Sequence, residues 1–128
     1  MRSALFATCL LSLGSFLWLA AGCQTTQPGA TDTLGVYSTH IDGAPDQVTS
    51  AAQKACNDMK LLDVNSTGTK VDGKVTARTA QGSDVAINIE QAGENVSKVT
   101  IQVGVTGDET VSKQLVDRIR NHLAWFGL

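Results

Sequence analysis

Aromatic residues are scarce in this chain of 128 residues, which has one Tyr, two Trp and three Phe. Phe6, Phe16 and Trp18 fall near the N-terminus, which leaves Tyr37, Trp125 and Phe126 for the rest. Sugar-binding clefts and single-strand nucleic-acid platforms stack their ligands on several exposed rings, so both classes are disfavoured. Cysteine is scarcer still. Cys9 and Cys23 belong to the N-terminal segment, Cys56 is alone beyond it, and no internal disulfide is expected. Neither sign of charge dominates: ten Lys and Arg against 12 Asp and Glu give a net charge of −2. The basic face that nucleic acid demands is missing, and the acidic residues are scattered rather than gathered in a tail. His40 and His122 are the only histidines and have no ligand-spaced partner, so neither a metal nor any other cofactor is expected. G-x-S-x-G, H-E-x-x-H, P-loop and G-x-G-x-x-G motifs are all absent. Ser50 and Ser112 sit in helix-period segments without a base. Asp46, Asp58 and Asp63 read as solvated, without the surroundings that would set paired carboxylates apart. No catalytic residue is assigned, and the chain is not expected to be an enzyme.

What the chain does have is one long hydrophobic run. Ala4 to Ala21 is mostly apolar, follows Met1-Arg2, and leads into Leu19-Ala20-Ala21-Gly22-Cys23. A basic start, an apolar stretch and a crowd of small residues form a secretory signal. With a cysteine after the cut, it resembles a lipobox, where a bacterial lipoprotein is diacylated on the cysteine, cleaved before it and acylated again on the new amino terminus. Ala20 stands where Leu is commoner. The run is about 18 residues, near the lower limit for a spanning helix. Small residues at its end and the lack of Lys or Arg in Gln24–Gly29 favour cleavage over retention. Residues 1–22 are therefore expected to be a signal peptide, Cys23 the lipidation site, and a membrane the first partner. Gln24, rather than Asp, resembles the outer-membrane sorting class, on the periplasmic side.

Residues 23–33 are polar, contain Pro28 and Gly29, and read as a flexible tether spanning on the order of 18 Å. Residues 34–128 are enough for one domain. A first strand is predicted over 35–41. Pro45 suits the first position of a helix and Asp46 its positive end. Val48, Ala51, Ala52, Ala55 and Met59 form its apolar stripe, with Cys56 assigned to the core. Leu62 and Val64 alternate with Asp63 and Asn65, and a turn is expected at Ser66-Thr67-Gly68. Inward positions then recur at Val71, Val75 and Ala77, at Val85, Ile87 and Ile89, and at Val99, Ile101, Val103 and Val105. Loops are expected at Ala80–Ser83 and Gln91–Asn95. Asp108 caps a second helix with Val111, Leu115, Ile119 and Leu123 on its apolar face. Asp117 is four residues from neither Arg118 nor Arg120, so no ion pair along this helix is indicated. The fold class is α+β, in the order β-α-β-β-β-β-α, with an antiparallel four- to five-stranded sheet and two helices packed on one face. Adjacent helical residues point about 100° apart, so Trp125 and Phe126 cannot both face the core. They are candidate contacts for a partner or a bilayer interface.

Ala77-Arg78-Thr79-Ala80-Gln81-Gly82, Val99-Thr100-Ile101-Gln102-Val103-Gly104-Val105-Thr106-Gly107-Asp108 and Asp117-Arg118-Ile119 carry a resemblance. Together with the lipobox, they resemble an uncharacterised domain-of-unknown-function family of small bacterial lipoproteins, over roughly residues 34–124 and most closely over 75–123. In that family a basic residue is common at the position of Gln102 and an aromatic at that of Val105, so this chain departs from the pattern twice. The resemblance implies no catalytic residue. A membrane-anchored, non-enzymatic envelope module is expected, meeting an envelope protein through the 34–41 edge, the polar sheet face or the C-terminal aromatics. The alternative is a carrier of a small ligand or metal in a pocket between helices and sheet. A core filled solidly by Val85, Ile87, Ile101, Leu115 and Ile119 would exclude that pocket.

Overall fold

Strict alternation of β-branched and polar residues makes a sheet with one dry face, and two amphipathic helices cover it. The structure, a computed structural model, describes residues 30–31 and 35–125, with side chains over 35–125. The elements are β1 (Ala30–Thr31), β2 (Val36–Asp42), α1 (Pro45–Asp58), β3 (Leu62–Gly68), β4 (Asp72–Arg78), β5 (Asp84–Gly93), β6 (Val96–Val103) and α2 (Glu109–Trp125). Spatial order is β1-β2-β6-β5-β4-β3, antiparallel throughout. β3 to β6 form a meander, and β2 closes on β6. The five long strands and two helices follow the expected α+β order. The sixth strand is the two-residue β1, which falls within the stretch read as tether.

On the inner face, Val75, Ile87, Ile101 and Tyr37 meet across β4, β5, β6 and β2, and all are buried. α1 lies over β3, β4 and β5, while α2 lies against β2 and β6. Each fully buried aliphatic side chain contributes about 1.5–3 kcal/mol by leaving water. The predicted α1 stripe holds: Val48, Ala51, Ala52 and Ala55 are buried, and so is Cys56. Leu115, Ile119 and Leu123 of α2 are buried as predicted. Val116 and Ser112 join them, because the face an apolar helix buries is broader than a four-residue repeat.

Glycines allow two close approaches. A Cβ on Gly107 would run into the Gly35 backbone, and one on Gly35 into Thr106, so the entry to β2 and the loop before α2 touch backbone to backbone. Gly68 and Gly73 are paired across β3 and β4, beneath Thr49 of α1; a Cβ on Gly73 would collide with the Thr49 hydroxyl. That hydroxyl donates to the Pro45 carbonyl at 2.6 Å.

Four local expectations are corrected, the first being the Gln91–Asn95 loop: β5 runs on to Gly93 and only Glu94-Asn95 turn. The β3–β4 turn lies at Thr69–Val71 rather than 66–68: the Thr69 Oγ1 accepts from the Val71 and Asp72 amides at 3.2 and 3.1 Å, and Val71 is 59% exposed. Leu62 is 53% exposed. A bulge between Leu62 and Asn65, with Asp63 at φ 53°, places Leu62 opposite the outward Arg78, while Val64 packs against the core. Val105 is 93% exposed. β6 ends at Val103, and Gly104 at φ 69° turns the chain away before the alternation can continue.

Candidate functional site

The uncovered face of the sheet carries short polar side chains in register. Thr67, Lys74, Asn88, Thr100 and Ser38 form one row, with the Ser38 and Thr100 hydroxyls 3.2 Å apart. Asn65, Thr76, Ala86, Gln102 and Val36 form the next. Ala86 is the smallest side chain in that row, and the surface is dented around it. An open cleft of about 510 Å³ lies between Ser83, Asp84, Ala86, Gln102, Gly104 and Val105. A second of about 280 Å³ shares Asp84 and Ala86 and reaches Asn65, Thr76 and Arg78. The Arg78 guanidinium lies between the two carboxylates, 3.3 Å from Asp84 and 3.8 Å from Asp63. All three are exposed, so the pairs contribute little to stability. Their effect is to hold charge at the rim of a groove otherwise lined by amides and hydroxyls. Gln102 and Val105 both line the larger cleft. The sequence placed Asp84, Ala86 and Gln102 on the outward half of an alternation, Ser83 in a loop and Val105 on the inward half; strand register brings them together.

Val85, Ile87, Ile101, Leu115 and Ile119 are all buried in one core cluster, in the layer where a helix–sheet pocket would have to open. Cys56 is wholly buried, and burial pushes its thiol from 9.0 up to about 11, which suppresses the nucleophilic thiolate. His122 meets a partner the sequence did not reveal: its Nε2 lies 2.6 Å from Asp58 Oδ2 at the end of α1. His40 is exposed on β2, opposite Lys98. Asp46 accepts from the Gln47 amide at 2.8 Å, so the three acidic residues close in sequence stand at separate places. Lys113 and Glu109 pair at 2.8 Å, an i,i+4 contact the helix reading missed, and Glu109 raises the Lys113 pKa. Among the described residues, no group of three or more His, Cys, Asp or Glu is arranged to hold a metal ion.

The 34–41 edge is partly taken. Ala30 and Thr31 pair with Ser38 and Tyr37, so the chain itself covers the first half of β2. The opposite edge, β3, is broken by its bulge, a device that discourages further strand pairing. Trp125 is 87% exposed at the end of α2. Phe126, Cys23 and residues 1–22, expected from the sequence to be a signal peptide, lie outside the described residues. No described helix is long and apolar enough to cross a membrane.

The fold and its open face define a small α+β domain of the two-layer kind, with two helices on one side and a grooved polar sheet on the other. The profile of the family described as protein of unknown function (DUF3568) matches residues 1–122, and the chain belongs to that family. No curated protein matches the chain.

Proposed function

We propose that this protein is a bacterial lipoprotein, acylated on Cys23, whose domain serves as a non-enzymatic binding or assembly module of the cell envelope. The observation that carries the reading is Leu19-Ala20-Ala21-Gly22-Cys23 at the end of an apolar run, followed by a polar stretch and then the folded domain. Two or three acyl chains, at about 0.8 kcal/mol per buried methylene, make the attachment effectively permanent. Gln24 favours the outer membrane, facing the periplasm. The domain then meets its partner through the open sheet face, where the cleft around Ala86 presents Asp84, Gln102 and Ser83 to a polar segment of another envelope protein. Burial of Val85, Ile87, Ile101, Leu115 and Ile119 in the helix–sheet layer supports a surface binder over a carrier with an internal pocket.

The test is crosslinking in intact cells, followed by affinity purification and mass spectrometry, with Cys23→Ser as the unanchored control. A dominant partner that disappears in the control, and that Ala86→Arg also weakens, supports the reading. Partners unchanged by loss of the anchor and by filling the cleft overturn it.

A further inference from the structure

Antiparallel pairing fixes the direction from which the chain enters the domain. Ala30 lies opposite Ser38 and Thr31 opposite Tyr37, so the step back from Thr31 to Ala30 points toward the Asp42 end of β2, not its Val36 end. Three other features mark that end. The Gly43 amide donates to the Asn95 carbonyl at 2.7 Å, which joins the β2–α1 and β5–β6 turns. The Gln91 amide donates to Val71 in the β3–β4 turn at 3.0 Å. The Leu123 side chain lies over Gly43, which brings the last turn of α2 to the same place. Two of the large exposed apolar side chains, Trp125 and Val71, therefore share one end of the domain. The Ala86 cleft and Val105 lie at the opposite end.

We propose that the end bearing Trp125 and Val71 rests on the bilayer that holds the Cys23 acyl chains, so that the cleft points away from the membrane. The inference builds on acylation of Cys23. Six residues lie between Cys23 and Ala30, and the seven Cα-to-Cα steps reach at most about 25 Å when extended. The distance along β2 from Ser38 to its Asp42 end is about 14 Å. The reach of Cys23 past that end is then at most about 10 Å, short enough to keep this end near the headgroups, where Trp is favoured. Asp42, Asp46, Asp72 and Glu94 stand here with Lys70, and Arg120 lies near, its guanidinium donating to Thr39 on β2. With both signs of charge present, the contact rests on the leash and the apolar side chains, and it is expected to be insensitive to salt.

Trp125 is the single Trp of a chain beginning at Cys23, since Trp18 lies in the leader, and its fluorescence reads one site. Natively produced protein is purified from membranes and reconstituted into vesicles of phosphatidylethanolamine and phosphatidylglycerol with brominated acyl chains. The intact mass of the same preparation reports acylation independently. The expected result is quenching of about half the Trp125 emission, as for an indole at headgroup depth, equal at low and high salt. A Trp125→Phe, Val105→Trp variant, which moves the probe to the opposite end, stays unquenched. An unquenched Trp125 on acylated protein, or quenching at position 105 instead, overturns the orientation and leaves the anchor standing. A mass without lipid overturns the anchor, and the orientation with it.

Discussion

Burial decides what the lone cysteine of the domain can do. Burial pushes its thiol from an ordinary 9.0 up to about 11, so the folded state holds a proton that the unfolded chain releases first. Stability should accordingly fall as pH rises from about 9 to about 11, by roughly 2 kcal/mol. Chemical denaturation of wild type and Cys56→Ala across that range should show this slope only in the wild type. Ser97 is the second residue of this kind. Its buried hydroxyl donates to the Gly43 carbonyl at 2.8 Å, and Ser97→Ala should cost about 1–2 kcal/mol in the same assay by leaving that carbonyl unpaired. Gly107 combines both glycine requirements, a φ of 76° and a backbone neighbour where a Cβ would sit. Gly107→Ala should lower the thermal midpoint far more than Gly82→Ala, whose Cβ would meet nothing within 4 Å.

The two helices are begun in different ways. Asp108 caps α2, with its Oδ1 accepting from the Val111 amide at 3.1 Å, and Asp108→Ala should destabilise by about 1 kcal/mol. α1 has only half of a capping box. The Gln47 side chain accepts from the Ala44 amide at 3.3 Å, but Ala44 has no oxygen to return. Ala44 already has the extended backbone of a cap, at φ −70° and ψ 151°, so Ala44→Ser should stabilise by about 0.5–1 kcal/mol. Among the strands, β3 departs furthest from its pattern. Its alternation reads as continuous from Leu62, yet the bulge after Leu62 turns that residue to the open face. Nothing in a local period distinguishes a bulged edge strand from a regular one. The helices were more legible, because caps, Pro45 and the apolar stripe are all written within one turn of where they act.

For the whole molecule, sheet order sets the ranking of local stability. β5 and β6 are central, whereas β1 and β3 are the edges. Backbone amides of β5 and β6 should exchange with solvent last, near the rate of global unfolding, and those of β3 well before them, as hydrogen exchange would measure. Trp125 stands outside the core, so Trp125→Ala should leave the thermal midpoint within about 1 °C of wild type. A larger loss would mean that the side chain closes the end of the core.

Period and punctuation in the sequence determined the element order, the dry face of the sheet and the burial of Cys56, because these follow from which residues leave water together. The proposed leader and lipidation site at Cys23 are likewise read from consecutive residues. The cleft was not legible. Asn65, Arg78, Ala86 and Gln102 come from four strands, and only their register across the sheet makes them neighbours. The same holds for the His122–Asp58 contact, 64 residues apart, and for the backbone crossing at Gly35 and Gly107. Local interactions repeat along the chain and can be read from it; a site assembled from distant segments exists only once the packing of those segments has fixed their relative positions.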